Sequence, residues 1–360
     1  MPVDSPGERR AFLQATAALV VASALGSRAY AAPFGDVARG AAPHAVPATR
    51  VYLHPDCRNH LPGTTHPEQP ARLDAVLAGL GADPLTSRVA VLTPRSATVD
   101  DLLLCHTPAY IDLVGREVRA GATALSTGDT QLSAGSLAAA LAAAGTVISA
   151  VDAVVAGDTR TAFCAVRPPG HHAATARGMG FCIFNNVAIG ARHALRRHGL
   201  DRVLIADWDV HHGNGTQDIF WSDGSVLFFD THLDQWYPGT GAASERGEGK
   251  AAGLIINRPF AAGAGRTEIL GAFRDTLLPA AERFRPQLVM ISAGFDSRVD
   301  DPLGRFRLDD RDFTDLTDLM REIAERYAGG RLVSVLEGGY NLKGLASGVA
   351  AHVGRLGARG

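Results

Sequence analysis

The segment Asp207-Trp208-Asp209-Val210-His211-His212-Gly213-Asn214-Gly215 packs carboxylates and imidazoles directly behind an apolar run, Val203-Leu204-Ile205-Ala206. On an extended chain alternate side chains share a face, so Asp207, Asp209 and His211 project together while Trp208, Val210 and His212 point the other way. Carboxylate oxygen and imidazole nitrogen are both ordinary zinc ligands, and a catalytic zinc takes about three protein ligands with one position left for water. The segment reads as one wall of a metal site at the end of a buried strand, supplying two or three of the ligands. The plainer alternative is a solvated strand tip that only caps the following helix.

Three further groups weigh against that alternative. Arg167-Pro168-Pro169-Gly170-His171-His172 puts a histidine pair behind Ala162-Phe163-Cys164-Ala165-Val166; Ile291-Ser292-Ala293-Gly294-Phe295-Asp296 puts a lone carboxylate behind Leu288-Val289-Met290; and Glu337-Gly338-Gly339-Tyr340-Asn341 follows Leu332-Val333-Ser334-Val335-Leu336. Open α/β sheets bind their ligands beyond the carboxyl ends of the strands, where all four groups stand.

The elements that must position these groups alternate along the chain. Strands are predicted near 51–54, 89–92, 162–166, 202–207, 225–230, 253–257, 287–292 and 331–336. Helices fit over Gln69 to Gly79, Pro108 to Ala120, Ala134 to Ala156, Asn185 to His198, Arg266 to Phe284 and Asp309 to Tyr327. Such alternation marks a mostly parallel sheet covered on both faces. The Ala-rich stretch Leu137 to Val151 is too short before Asp152 to span a bilayer of about 20 residues, so it reads as a buried core helix.

The 360 residues, 46% hydrophobic and 20% charged, hold enough apolar content for one large domain or two. A formal net charge of −2 gives no global electrostatic case for nucleic acid as a partner. Cys57, Cys105, Cys164 and Cys182 have no close paired spacing and read as mostly buried thiols. At the amino terminus, Glu8-Arg9-Arg10-Ala11-Phe12-Leu13-Gln14 precedes an apolar run from Ala15 to Leu25 and the small-residue site Ala29-Tyr30-Ala31. This looks like a twin-arginine export signal over 1–31, cleaved after Ala31, followed by a flexible mature terminus over 32–49 and a catalytic domain over 50–360. The destination it implies is the periplasm or the exterior, with no stable membrane span in the mature form.

In this order, the four groups resemble the zinc-dependent histone deacetylase and acetylpolyamine amidohydrolase superfamily. The resemblance extends to His66-Pro67-Glu68-Gln69-Pro70-Ala71-Arg72-Leu73, to Gly178-Met179-Gly180-Phe181-Cys182-Ile183-Phe184-Asn185-Asn186 and to Tyr237-Pro238-Gly239-Thr240-Gly241, covering roughly residues 50 to 350. It implies an open, three-layer arginase/deacetylase-like α/β fold with an eight-stranded, mainly parallel sheet, and one zinc ion held by Asp209, His211 and Asp296. It further implies His172 as general base then acid, His171 as its electrostatic partner, and Tyr340 as an oxyanion donor on a loop that Gly338 and Gly339 leave free to swing. Asp207 would orient His171, and Asn214 would orient His172. Asparagine there, with Glu337 before the Gly-Gly-Tyr string, points to the class II-like branch, which includes bacterial histone deacetylase-like amidohydrolases. Gly180, Phe181, Tyr237 and Leu303 would line a narrow tunnel, with Cys182 close by, and a structural potassium would sit at Asp207, Asp209, His211, Asp230 and Thr231.

The implied substrate is a small acylated amine or an acyl-lysine peptide. Acetylpolyamines stand as an alternative, although Leu303 occupies the place where polyamine-selective members can carry an acidic gatekeeper. A two-manganese ureohydrolase would need carboxylates where this chain has Gly213 and Arg298. An exported metal-binding module without turnover is a third reading.

Overall fold

A computed structural model describes residues 49–358 except 85 and 88. The expected leader over 1–31 lies outside the described residues, as does all of the 32–49 tail save Thr49, which already begins the first strand.

The strands are β1 (Thr49–Tyr52), β2 (Val91–Leu92), β3 (Thr161–Cys164), β4 (Val203–Asp207), β5 (Val226–Leu233), β6 (Ile255–Phe260), β7 (Leu288–Ala293) and β8 (Leu332–Leu336). They form one eight-stranded sheet in the order β2-β1-β3-β8-β7-β4-β5-β6, and every pair is parallel. Parallel strands are buried on both faces and read as continuous apolar runs. The central strands do so: every residue of β3, β4, β7 and β8 is buried, and the register sets Ile205 beside Met290 and Ile291 beside Ser334.

The order has a direct consequence for chemistry. β3, β8, β7 and β4 are neighbours in the sheet although they are far apart in sequence. The four loops that leave their carboxyl ends therefore emerge side by side and carry His171-His172, Glu337 to Tyr340, Asp296, and Asp209 with His211 into one crevice.

The helices are α1 (Ala71–Ala82), α2 (Val99–Leu102), α3 (Pro108–Arg119), α4 (Ser136–Ala156), α5 (Asn186–Arg197), α6 (Asn214–Phe220), α7 (Arg266–Ala272), α8 (Leu278–Phe284), α9 (Asp310–Tyr327) and α10 (Leu342–Leu356). α4 is apolar and long enough to cross a membrane, but 72% of its apolar window is buried inside the protein, in keeping with a core helix. The single helix expected over Arg266 to Phe284 is divided by a π-helical turn at Phe273–Leu277. Pro279 accounts for it: proline has no N–H for the carbonyl four residues back, and its ring would collide with that carbonyl in a regular α-turn.

Candidate active site

β4 ends at Asp207, so the three-residue wall expected along an extended strand does not persist. The turn that follows separates the roles. Asp207 Oδ2 lies 3.0 Å from His171 Nδ1, whereas Asp209 and His211 join Asp296 from the neighbouring β7 loop. His211 Nδ1 is 3.0 Å from Asp209 Oδ1 and 3.2 Å from Asp296 Oδ2, and one donor atom from each of the three residues lies within 4.8 Å of the others. Asp209 and Asp296 are fully buried, and Asp296 Oδ2 has no hydrogen-bond partner among the described residues.

Two buried carboxylates this close demand positive charge. Burial opposes a cation on His211, yet its hydrogen bond to Asp209 and the nearby charge of Asp296 raise its pKa to about 10. Burial and the charge of Asp209 push Asp296 up to about 7. A mixed set of two carboxylates and one imidazole, with an orphaned buried oxygen aimed inward, fits a divalent cation. The fit extends to the backbone: a Cβ on Gly338 would lie 2.0 Å from Asp296 Oδ2 and 2.6 Å from Asp209 Oδ2, so only glycine lets this loop close over the cluster.

The histidine pair faces the cluster from the β3 loop, with His171 Nε2 3.9 Å from Asp209 Oδ1. Although the two residues are adjacent in sequence, their partners differ. Burial opposes charge on His171, but the carboxylates of Asp207 and Asp209 outweigh it and raise its pKa well above the ordinary histidine value. His172 pairs through Nδ1 with the neutral Asn214 Oδ1 at 2.8 Å. Burial, reinforced by His171 and His211, drives its pKa well below the ordinary value. The arrangement thus places an imidazolium beside a neutral imidazole.

Glu337 does more than sequence reading assigned to it. Its Oε2 accepts hydrogen bonds from the backbone N–H of Gly170 (2.7 Å) and of His171 (3.2 Å), tying the β8 loop to the histidine loop. The Tyr340 loop, expected to swing, is pinned along its length. Gly338 N–H donates to Asp209 Oδ2 (2.8 Å), and Tyr340 and Asn341 N–H both donate to Asp301 Oδ2 (2.7 and 3.0 Å). Arg72 donates to the carbonyls of Gly339 (2.7 Å) and Glu337 (2.5 Å), with its guanidinium 5.0 Å from the Tyr340 ring centre. Arg72 is itself held by Glu68, which also binds Arg167. Nothing in the local sequence announces this role, since Arg72 acts on a loop that lies near the other end of the chain.

Above the cluster opens a pocket of about 260 Å³ lined by His171, His172, His211, Gly338 and Tyr340 below and by Gly180, Phe181, Tyr237, Trp236, Leu303 and Asp129 around its walls. The Phe181 ring stands edge-on to Tyr340 at 5.9 Å and to His66 at 4.6 Å, and Tyr237 packs edge-on to His172 at 5.2 Å. Gly180 has φ +57°, and a Cβ there would lie 2.3 Å from His172 Cδ2. All four residues expected in the tunnel line this pocket. Two wall residues were missed. Asp129 accepts hydrogen bonds from Gly180 N–H (2.7 Å) and Tyr237 O–H (3.1 Å), and Trp236 donates through Nε1 to the Leu303 carbonyl (3.0 Å). Asp129 lies in an irregular loop with no motif around it to flag it. Cys182 is fully buried and does not line the pocket.

Behind the site, Asp207 and Asp230 face one another. Gly213 N–H donates to Asp230 Oδ2 (2.8 Å), His232 Nδ1 meets Asp230 Oδ1 (2.7 Å), and Thr231 Oγ1 lies 3.5 Å from the Asp207 carbonyl.

A parallel open sheet with acid, imidazole and phenol groups gathered at its carboxyl edge defines an α/β protein with a hydrolytic type of site, and comparison with known proteins specifies it. Residues 66–356 match the histone deacetylase domain model. The chain is 41% identical over 276 residues to the histone deacetylase-like amidohydrolase of Pseudomonas aeruginosa, covering 76% of this chain and 72% of that protein. It is 39% identical over 302 residues to the chloroplastic histone deacetylase 14 of Arabidopsis thaliana, covering 79% and 71%. Against the human polyamine deacetylase HDAC10 it is 40% identical over 300 residues, covering 80% of this chain and 44% of that one. The crystal structure of the HDA15 HD domain superposes with a TM-score of 0.79 at 35% identity, over 85% of this chain and 90% of that one. The chain belongs to the histone deacetylase family, within its class II-like branch, and has that family's α/β fold.

Proposed function

We propose that this deacetylase-family amidohydrolase is a one-zinc enzyme that removes acetyl or related acyl groups from acyl-lysine-like amines. The observation that carries the reading is the three-donor cluster of Asp209, His211 and Asp296 facing two histidines of opposite charge preference. Zinc held there supplies Lewis acidity toward a water molecule and toward the scissile carbonyl. The rest of the work falls to the chain. Neutral His172 accepts the proton of the attacking water and returns it to the departing amine. His171, held as a cation by Asp207, lowers the cost of negative charge gathering in the pocket. Tyr340 donates its hydroxyl proton in a hydrogen bond to the oxyanion, and the pinned loop sets its position before substrate arrives. Phe181 and Tyr237 grip the alkyl stem between amide and body. Asp207 and Asp230, with Thr231 and the carbonyls of Asp209 and His211, would hold a potassium ion that stiffens the β4 turn.

Acetylpolyamine hydrolysis is the second reading, favoured by the kinship with a protein named polyamine deacetylase. Against it stands Leu303 on the pocket wall, which offers no charge to a distal ammonium. Initial rates on acetyl-lysine and acetylspermidine, measured side by side with metal-replete protein, separate the two. A metal-binding module without turnover would release acyl groups from neither.

We also propose export through the twin-arginine route, on the strength of Arg9-Arg10 and the apolar run behind them. Replacing both arginines by lysine should keep a tagged chain in the cytoplasm; unchanged periplasmic recovery would contradict it.

A further inference from the structure

A second set of metal-type donors converges where α4 meets the carboxyl end of α5. Asp152, one turn before α4 ends, accepts on its Oδ1 from His193 Nε2 (2.6 Å) and from His198 Nε2 (2.7 Å). His193 lies on the buried face of α5 and His198 just past its last turn. The two imidazole rings stand 5.2 Å apart at 77°, and one donor atom from each of the three residues lies within 4.8 Å of the others.

Three details distinguish this group from an ordinary ion pair. Both imidazoles bring Nε2 to a single carboxylate oxygen, so release of their two N–H protons turns three donor atoms toward one another. The His193 side chain is only 8% exposed, and its remaining nitrogen, Nδ1, is buried with no hydrogen-bond partner among the described residues, so its polar engagement there is with Asp152. Asp152 and His198 are 45% and 25% exposed, leaving a path from solvent for an ion and for water as a fourth ligand. The nearby guanidinium of Arg95 is engaged by Asp101 at 2.7 Å and by the Ser96 carbonyl at 3.0 Å.

The group is separate from the pocket. His193 and His198 lie seven and twelve residues beyond Asn186 at the start of α5, roughly 10 and 18 Å along the axis at 1.5 Å per residue. Its far end abuts the histidine loop, where Asn186 Nδ2 donates to the Pro168 carbonyl at 3.1 Å.

We propose that Asp152, His193 and His198 form a second, structural site for a divalent transition metal. Two imidazoles and one carboxylate are a zinc-type donor set. An ion among the three donor atoms would replace the two Nε2 protons that meet Asp152, with the rings in the tautomer that leaves Nε2 free, and would clamp α4 to α5, the helix that backs the His171-His172 loop. Its effect is on stability and not on the reaction.

The test is metal stoichiometry on the full chain, stripped with chelator and titrated with zinc by calorimetry, with bound zinc then counted by elemental analysis. The native chain should bind two equivalents, and both His198→Ala and His198→Gln should bind one. Glutamine keeps a donor for Asp152 but is a poor zinc ligand, and near-ultraviolet circular dichroism shows that the variants remain folded. Asp209→Asn should retain the equivalent that His198→Ala loses, which keeps this outcome independent of whether the pocket is catalytic. Zinc bound by the native chain that His198→Ala and His198→Gln retain in full overturns the proposal.

Discussion

The imidazoles of His171 and His172 stand 4.0 Å apart between ring centroids, yet their second-row partners drive them to opposite protonation states. One Nδ1 meets the carboxylate of Asp207 and the other the amide oxygen of Asn214. The division of labour between cation and base follows from that difference. Asn214→Asp therefore places a carboxylate beside His172 and raises its pKa. The acid limb of the kcat/KM profile should move upward by about one unit or more. An unmoved limb would take the base role away from His172.

Tyr340 lines the pocket between the Phe181 ring and the Arg72 guanidinium. Tyr340→Phe keeps the packing and removes only the hydroxyl. Turnover should fall by roughly two to three orders of magnitude with bound zinc unchanged. Loss of metal in step with activity would contradict the assignment.

Gly338→Ala drives a methyl group into the oxygens of Asp209 and Asp296. The variant should fold, lose the zinc equivalent of the pocket, and turn over at least about 100-fold more slowly, since displacement near 1 Å at a reacting centre costs about that much. Elemental analysis beside a thermal melt checks both halves; full metal occupancy with full activity would show that the loop can retreat.

Leu303→Glu puts a carboxylate on the pocket wall. The rate on acetylspermidine relative to acetyl-lysine should rise roughly five-fold, the value of about 1 kcal/mol expected for a solvent-screened ion pair. No change in the ratio would remove position 303 as a guide to substrate.

Four buried histidines outside the proposed chemistry set the response to acid. Burial lowers His60, His106 and His212 to about 4 and His352 to about 3. A histidine whose folded pKa lies below its unfolded value, about 6.5, adds stability that is complete above that value and is lost as pH falls toward the folded one. Unfolding free energy should therefore decline steeply from pH 6.5 to 4.5. His352, held between Thr317 Oγ1 (2.6 Å) and Ser334 Oγ (2.8 Å), contributes one proton to that slope. His352→Gln should flatten it by about 1.4 kcal/mol per pH unit. Equal slopes in urea melts of both proteins would contradict this.

The parts of the molecule legible in the sequence are those whose signal is local. The runs of β4, β7 and β8 are apolar throughout because both faces are buried, and each is followed at once by the residues it positions. α10 escaped notice because Gly344, Gly348 and Gly354 dilute its helical pattern, while Leu345, Val349, Val353 and Leu356 still form one buried stripe capped by Asn341. The expected Asp207-Asp209-His211 wall failed because extended geometry stops at Asp207, and no single-residue preference announces where a strand ends. Arg72, Asp129 and Asp301 act on backbone far away in sequence, so their roles exist only once the sheet order has brought the loops together.

The central claim, a metal-dependent deacylase working through Asp209, His211 and Asp296, is tested most directly by acyl release from acetyl-lysine and trifluoroacetyl-lysine by the chain without residues 1–31, before chelation, after it, and after zinc is returned. The account predicts release that chelation abolishes and zinc restores, and that Asp296→Asn lacks throughout. Release indifferent to chelation, or none from folded, metal-replete protein, would contradict it.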